Sequence, residues 1–388
     1  MTDALRVTMV NKYWPPHLGG IEFHARDLAE GLIEHQGASV RALVCNGGPE
    51  SVTETLNGVE VVRLARAFEA SSTPIARGFA KALSAEARRD PAPDVLHFHF
   101  PYPWGELAWL RAKPDVPMVV TYHSDIVRQR IALAGYRPAL ERFLDSADLI
   151  IASSPNMIEH SEFLNPRAEK CRQIDFGLHV ERFAGDDSTA RRAAELSAEH
   201  AGRKIVLFVG RLIYYKGADV LVRAMEHVDA DLVMIGRGPL EAELREIAVA
   251  RGMGDRVRFI APVGDEELAA WYAAADVFCL PSVARSEAFG LVQIEAHAAG
   301  TPVVSTNLTT GVPYANLDGV TGLTVPVADE ASLADALSRL LGDDELRARL
   351  GAQARERALR DFTIERMCAQ TAEVYAEAAQ IHASKARG

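Results

Sequence analysis

The stretch Val277-Phe278-Cys279-Leu280-Pro281-Ser282-Val283-Ala284-Arg285-Ser286-Glu287-Ala288-Phe289-Gly290-Leu291-Val292-Gln293-Ile294-Glu295-Ala296 carries one complete βα unit. Val277–Leu280 is a short apolar run of strand formers, followed by Ser, Glu and Gly loop chemistry. The apolar spacing after Gly290 then predicts a helix over 291–299. A buried strand, a loop and a helix are the repeating unit of a parallel sheet covered on both faces. The same pattern extends in both directions. Strands are expected at 5–10, 39–45, 59–64, 94–98, 118–122 and 149–153, then at 204–209, 231–235, 257–260, 303–305 and 322–325. Helices are expected between them at 21–35, 74–88, 137–145, 218–226, 240–251, 265–274 and 331–341. The fold class is α/β, with two doubly wound, Rossmann-like parallel-sheet domains facing across a cleft.

One break interrupts the alternation. Residues 181–203 are poor in strand formers, rich in charge and include Gly185-Asp186-Asp187-Ser188. They are read as an interdomain connection with a short helix, between an N-terminal domain at 1–180 and a C-terminal domain at 204–363. The Ala- and Glu-rich segment 364–388 has helical spacing and is expected to pack back on the first domain. No short-period repeat is visible.

Composition narrows the function. The 388 residues are 48% hydrophobic and 24% charged, which is globular usage with enough apolar content for a sizeable core. No apolar run approaches the roughly 18 residues of a membrane span, and the first ten residues lack a secretory pattern. Cys45, Cys171, Cys279 and Cys368 lie far apart, without a C-x-x-C pair, so a reduced, cytoplasmic location is expected. A net charge of −11 argues against a nucleic-acid partner. Between Val61 and Arg142 the balance reverses, with 12 Lys and Arg against 8 Asp and Glu. Two readings of that reversal stay open: solvated helix faces, or a cationic face for an anionic membrane surface or a phosphate-bearing substrate.

Several strand ends carry ligand chemistry. Gly19 and Gly20 follow the first strand and precede a helix, where free N–H groups favour phosphate. The spacing is neither G-x-G-x-x-G nor a Walker loop. In the second half, Arg211 leaves a strand end and Lys216 follows five residues later, a fork and a point charge suited to one anion. Gly236-Arg237-Gly238 sits at the next strand end and reads equally as a tight turn. The amides of Phe289, Gly290, Leu291 and Val292 would be free donors at a helix start. Glu295, in an Ala-rich helix, would need a hydroxyl or cation partner if buried. His123 follows the strand at 118–122, where a lone histidine is more often structural. His97 and His99 alternate on one strand and so share a face, but no third metal ligand is evident, and no metal site is expected.

Taken in order, Gly19-Gly20-x-Glu22, Gly210-Arg211 with Lys216, and the E-x7-E pair Glu287 and Glu295 within Ser286-Glu287-Ala288-Phe289-Gly290 resemble the retaining GT-B glycosyltransferases of the glycosyltransferase 4 type. The resemblance spans nearly the whole chain. It implies that Arg211 and Lys216 hold the diphosphate of a nucleotide sugar, that Glu287 contacts the transferred sugar and that Glu295 contacts the ribose. Gly19, Gly20, Gly236, Val263 and the run Ala288, Phe289, Gly290, Leu291 and Val292 would complete the donor site. His123 would face the sugar near its anomeric carbon, joining Glu287, Arg211 and Lys216 in the catalytic set. Acceptor-side contacts are expected at Glu22, Tyr122, Asp125 and Arg128.

No cofactor and no metal are expected. The resemblance further implies transfer with retention of anomeric configuration. The segments 122–129 and 285–290 look like those of enzymes adding mannose or deoxyhexoses in bacterial polysaccharide assembly. The expected donor is therefore GDP-mannose and the acceptor a lipid-linked saccharide, with peripheral contact at the inner membrane face. The competing readings are a UDP-sugar-dependent transferase acting on a small soluble acceptor, a sugar-nucleotide 2-epimerase of the same architecture, and a non-catalytic nucleotide-sugar binder.

Overall fold

The computed structural model describes residues 4–17, 19–70, 73–126 and 130–387, with 130–134 as backbone. Arg128 lies outside the described residues. The chain divides into two units, Met1–Leu178 with Ile364–Gly388, and His179–Thr363.

The first unit opens with β1 (Arg6–Val10), α1 (Gly20–Gln36), β2 (Ser39–Cys45), β3 (Val52–Leu56) and β4 (Val59–Leu64). A hairpin of β5 (Arg66–Ala70) and β6 (Thr73–Ala76) leads into α2 (Phe79–Glu86). Then come β7 (Val95–Phe100), α3 (Pro103–Ala112), β8 (Met118–Tyr122), α4 (Arg130–Ser146), β9 (Leu149–Ala152), α5 (Pro155–His160) and β10 (Cys171–Gln173). One sheet runs in the order β10-β9-β8-β7-β1-β2-β4-β3. Its pairings are parallel except β3 with β4. Every residue of β7, β8 and β9 is buried, as strands covered on both faces must be.

The second unit contains α6 (Asp187–Ala198), β11 (Ile205–Val209), α7 (Ala218–Ala224), β12 (Asp231–Ile235), α8 (Glu241–Ala250) and β13 (Val257–Ile260). It continues through α9 (Asp265–Ala274), β14 (Val277–Leu280), α10 (Val292–Ala298), β15 (Val303–Thr306), α11 (Val312–Ala315), β16 (Gly322–Val325), α12 (Glu330–Gly342) and α13 (Asp344–Asp361). Its sheet is parallel throughout, in the order β13-β12-β11-β14-β15-β16. The last helix, α14 (Ile364–Lys385), belongs to the first unit. There its Ile364, Met367 and Cys368 share a core with Leu28 and Leu32 of α1.

In both sheets the strand order reverses beside the first strand, between β1 and β7 and between β11 and β14. Loops leaving the carboxyl ends of such neighbouring strands diverge and open a crevice, the usual ligand position in doubly wound sheets. Gly19-Gly20 and His99 flank the first switch point; Arg211, Lys216 and Glu287 flank the second.

Several elements differ from expectation. The helix predicted over 74–88 is instead β6 followed by α2, because Pro74 pairs with Glu69 in the hairpin. The helix predicted over 137–145 begins at Arg130 and carries Pro138 inside it. α3 was not anticipated; Glu106 caps it from within, accepting the Tyr102 amide at 2.7 Å. Residues 181–203 are packed rather than linking. Asp186 caps α6 through the Thr189 amide, and Arg192 holds Glu267 of α9 with two 2.9 Å bonds. The whole segment belongs to the second unit.

Candidate active-site groups

In the second unit, Lys216 closes a single 3-10 turn after β11 and is buried. Its Nζ lies 2.5 Å from Oε2 of Glu287. The Ser282 hydroxyl donates to that same oxygen at 3.1 Å. The loops carrying the pair are joined by the Val283 amide, which donates to the Tyr215 carbonyl at 2.8 Å. A buried ion pair with a supporting hydroxyl holds the two side chains in place. Arg211 is exposed and enters no ion pair among the described residues. A cation held on a carboxylate and a second one free to move suit the reception of an anion larger than either could neutralise alone.

Glu295, on α10, is half-buried, with Oε2 accepting the Tyr272 hydroxyl at 2.7 Å. Burial pushes its carboxyl up to about 7, with Asp265 adding to the rise while the Tyr272 bond and the Lys216 charge oppose it. Tyr272, two turns into α9, carried no sequence signal beyond an aromatic in an amphipathic helix. The helix predicted from Leu291 starts one residue later and has only seven residues, so its dipole adds little. Gly290 delays it: at φ 77° it holds a left-handed turn, and a Cβ there would sit 2.4 Å from a Leu280 methyl. The Gly290, Leu291 and Val292 amides donate to nothing among the described residues. Phe289 is buried against Phe362 and Tyr314, and the Ala288 carbonyl accepts the Gly311 amide, so these two residues brace the loop. Gly236 answers first to packing, since a Cβ would lie 2.0 Å from the Gly210 carbonyl oxygen. Val263 is half-buried in the loop after β13.

In the first unit, Gly19 caps α1 in an extended conformation and Gly20 opens the helix. The carboxylate of Glu22, itself 9% exposed, folds back over Gly19. His123 follows β8 directly and is 6% exposed. Its Nε2 lies 3.1 Å from Nδ1 of His99, and its ring stacks on Phe176. His24, two residues beyond Glu22, meets the His123 ring edge-on at a centroid distance of 4.9 Å. His97 bonds Tyr375 and Thr121 through its two nitrogens, each at 2.7 Å. Burial pushes His24 down to about 4 and His97 to about 3, and holds His99 and His123 well below the usual histidine range.

His24 thus supplies the third imidazole that the sequence did not reveal beside His99 and His123. Their nitrogens lie within 4.8 Å of one another. His99 and His123 already direct facing nitrogens at each other.

Two expected acceptor contacts are placed differently. Tyr122 is fully buried and donates to Asp125 at 2.8 Å, and Ser161 donates to the same Asp125 oxygen at 2.7 Å. Both residues anchor the loop that follows His123. Part of the cationic surplus is likewise paired within the fold. Arg63 is buried on Glu54 and on the Trp14 and Pro15 carbonyls, and Arg89 and Arg137 sit in ion pairs. Arg77, Lys81 and Arg142 remain exposed. No helix among the described residues is long and apolar enough to cross a membrane.

Two doubly wound units, each with polar chemistry at a topological switch point, define a GT-B glycosyltransferase architecture. The family described as Glycosyltransferase Family 4 matches residues 18–182, and Glycosyl transferases group 1 matches residues 192–357. O-antigen chain mannosyltransferase C of Escherichia coli is 34% identical over 94% of this chain and 96% of its own length. D-rhamnosyltransferase WbpZ of Pseudomonas aeruginosa is 38% identical over 72% of this chain and 71% of its own. Among solved structures, sucrose-phosphate synthase of Thermosynechococcus elongatus superposes with a TM-score of 0.79 at 27% identity, covering 98% of this chain and 100% of that one. The chain belongs to the glycosyltransferase 4 family and is a GT-B glycosyltransferase.

Proposed function

We propose that the protein transfers mannose from GDP-mannose, with retention of configuration, to a hydroxyl of a lipid-linked saccharide during polysaccharide assembly. The observation that carries the reading is the Lys216–Glu287 pair at the second unit's switch point, with Glu295 on the adjoining helix. Similarity to an O-antigen chain mannosyltransferase supports mannose as the sugar. In this reading the diphosphate takes Lys216 as counter-ion, with Arg211 and the Gly290–Val292 amides completing its neutralisation. Glu287, released from part of the lysine's charge and still bonded to Ser282, accepts sugar hydroxyls. Glu295 accepts those of the ribose. Asp125 and Tyr122 keep His123 in position beside the sugar.

The acceptor oxygen attacks the anomeric carbon as the bond to the departing phosphate breaks. That phosphate oxygen takes the acceptor's proton on the same face, which preserves configuration. Stabilising the leaving diphosphate is the largest contribution the side chains make, and they make it without a metal ion. Exposed Arg77, Lys81 and Arg142 suit an anionic lipid surface, the basis for a peripheral location on the cytoplasmic membrane.

The specific runner-up is D-rhamnose as the sugar, favoured by the similarity to WbpZ. D-rhamnose is mannose lacking the 6-hydroxyl, so one assay covers both. The protein is incubated with GDP-mannose, GDP-D-rhamnose, UDP-glucose and ADP-glucose without acceptor, and the released sugar is followed by NMR. Slow release of free mannose from GDP-mannose, first as the anomer present in the donor, is expected. Preferred hydrolysis of a UDP- or ADP-sugar, epimerised donor, or binding without turnover would each overturn the proposal.

A further inference from the structure

We infer that His99 is a positioning residue that fixes the tautomer of His123, so that His123 presents Nδ1–H, a hydrogen-bond donor, to the substrate. The inference deepens the proposed function and rests on its reading of His123 as an active-site group.

His99 is 1% exposed, and its Nδ1 faces Nε2 of His123 at 3.1 Å with the rings 22° from parallel. Burial keeps both imidazoles neutral, as it does for His24 and His97 around them. Two neutral imidazoles can share that bond in two ways. If His123 donates, His99 must carry its proton on Nε2, which is buried with no partner. That arrangement orphans an N–H donor in the interior. If His99 donates, its Nε2 is a bare lone pair, and His123 holds its proton on Nδ1. An unpaired buried N–H is the rarer and costlier of the two. The second arrangement therefore prevails.

The surroundings leave His99 no other partner. His97, its neighbour on the same strand face, has both nitrogens committed to Tyr375 and Thr121. The rings of His97 and His99 lie 4.6 Å apart. His123 is fixed by Phe176 on one face, His24 on its edge and its own amide on the Phe100 carbonyl. Its Nδ1 has no partner among the described residues but, unlike His99 Nε2, it is not fully buried, so a proton there is not stranded in the interior. With Nε2 accepting from His99, His123 cannot act as a general base through Nδ1. It offers a neutral donor to an oxygen of the sugar or of the departing phosphate.

The test is long-range 1H–15N NMR on the full chain labelled at histidine, assigned with a His123→Gln variant. A His123 signature with Nδ1 protonated and Nε2 bare is expected, and the reverse pattern overturns the inference. Two substitutions add a kinetic arm. His99→Asn keeps a donor near the Nδ1 position and should retain both the tautomer and kcat. His99→Leu removes it, and kcat should fall roughly 10- to 100-fold with little change in donor KM. Equal loss in both variants at unchanged melting temperature also overturns the inference. If the NMR pattern is as expected but His123→Gln retains full turnover, the active-site reading of His123 fails while the tautomer assignment stands.

Discussion

Glu295 converts the site's electrostatics into a measurable pH dependence. Its carboxyl is raised to about 7, chiefly by burial. Ribose hydroxyls donate best to the ionised form, so donor binding should strengthen as pH rises through that value and weaken as it falls. For a single group of this kind the dissociation constant scales inversely with the ionised fraction, giving a roughly tenfold weaker affinity at pH 6 than at pH 8. GDP-mannose is the appropriate probe because both of its phosphates are esterified and neither titrates in this window. Titration calorimetry in two buffers of different ionisation enthalpy would also count protons, with about one released at pH 6 and almost none at pH 8. Glu295→Gln should abolish the slope and leave affinity near the wild-type value at low pH. A level wild-type affinity across the range, or an equal slope in the Gln variant, would show that Glu295 does not receive the ribose.

Two further perturbations separate the roles of the units. Lys216→Ala should lower kcat/KM by roughly 100- to 1000-fold, the loss of about 2.7–4 kcal/mol of leaving-group stabilisation. Near-normal turnover at an unchanged melting temperature would refute the assignment. In the first unit, His24, His97, His99 and His123 are neutral in the folded state but titrate near 6.5 when unfolded. Stability should therefore fall as pH drops below about 6.5, by roughly 1.4 kcal/mol per pH unit per histidine. Glu106, raised to about 8 by burial, contributes in the opposite direction and offsets one of the four. A melting temperature for this unit that holds steady or rises between pH 7 and pH 5 would contradict the burial argument.

Strands of the second unit were legible because each is a short apolar run bounded by glycine or a charged turn, as in Lys204 to Gly210 and Asp231 to Gly236. β3 was not, since Val52-Thr53-Glu54-Thr55-Leu56 lies at an edge with most of its side chains exposed. Yet the Asn57-Gly58 turn that joins it to β4 is a strong hairpin signal, with both residues at positive φ. α3 stayed hidden for another reason. Its capping carboxylate, Glu106, lies inside the helix rather than ahead of it, so the start of Pro103-Trp104-Gly105-Glu106 carries no N-cap residue.

The site divides along the same line between local and long-range information. Lys216, Glu287 and Glu295 could be singled out because each sits in its own βα loop or helix start. Their pairing could not, because alternation of strands and helices fixes a parallel sheet but leaves strand order open. Placing β14 beside β11 is what brings Glu287 within 2.5 Å of Lys216. Likewise β7 beside β8 brings His99 to His123, and α1 brings His24 over both. Tyr122 shows the converse error. The resemblance gave it an acceptor contact, but alternation along β8 points its ring to the opposite face of the sheet from His99, where it stacks on Phe100 at 4.4 Å. A strand residue next to a functional one faces the opposite side, so proximity in sequence argued against the role it was given.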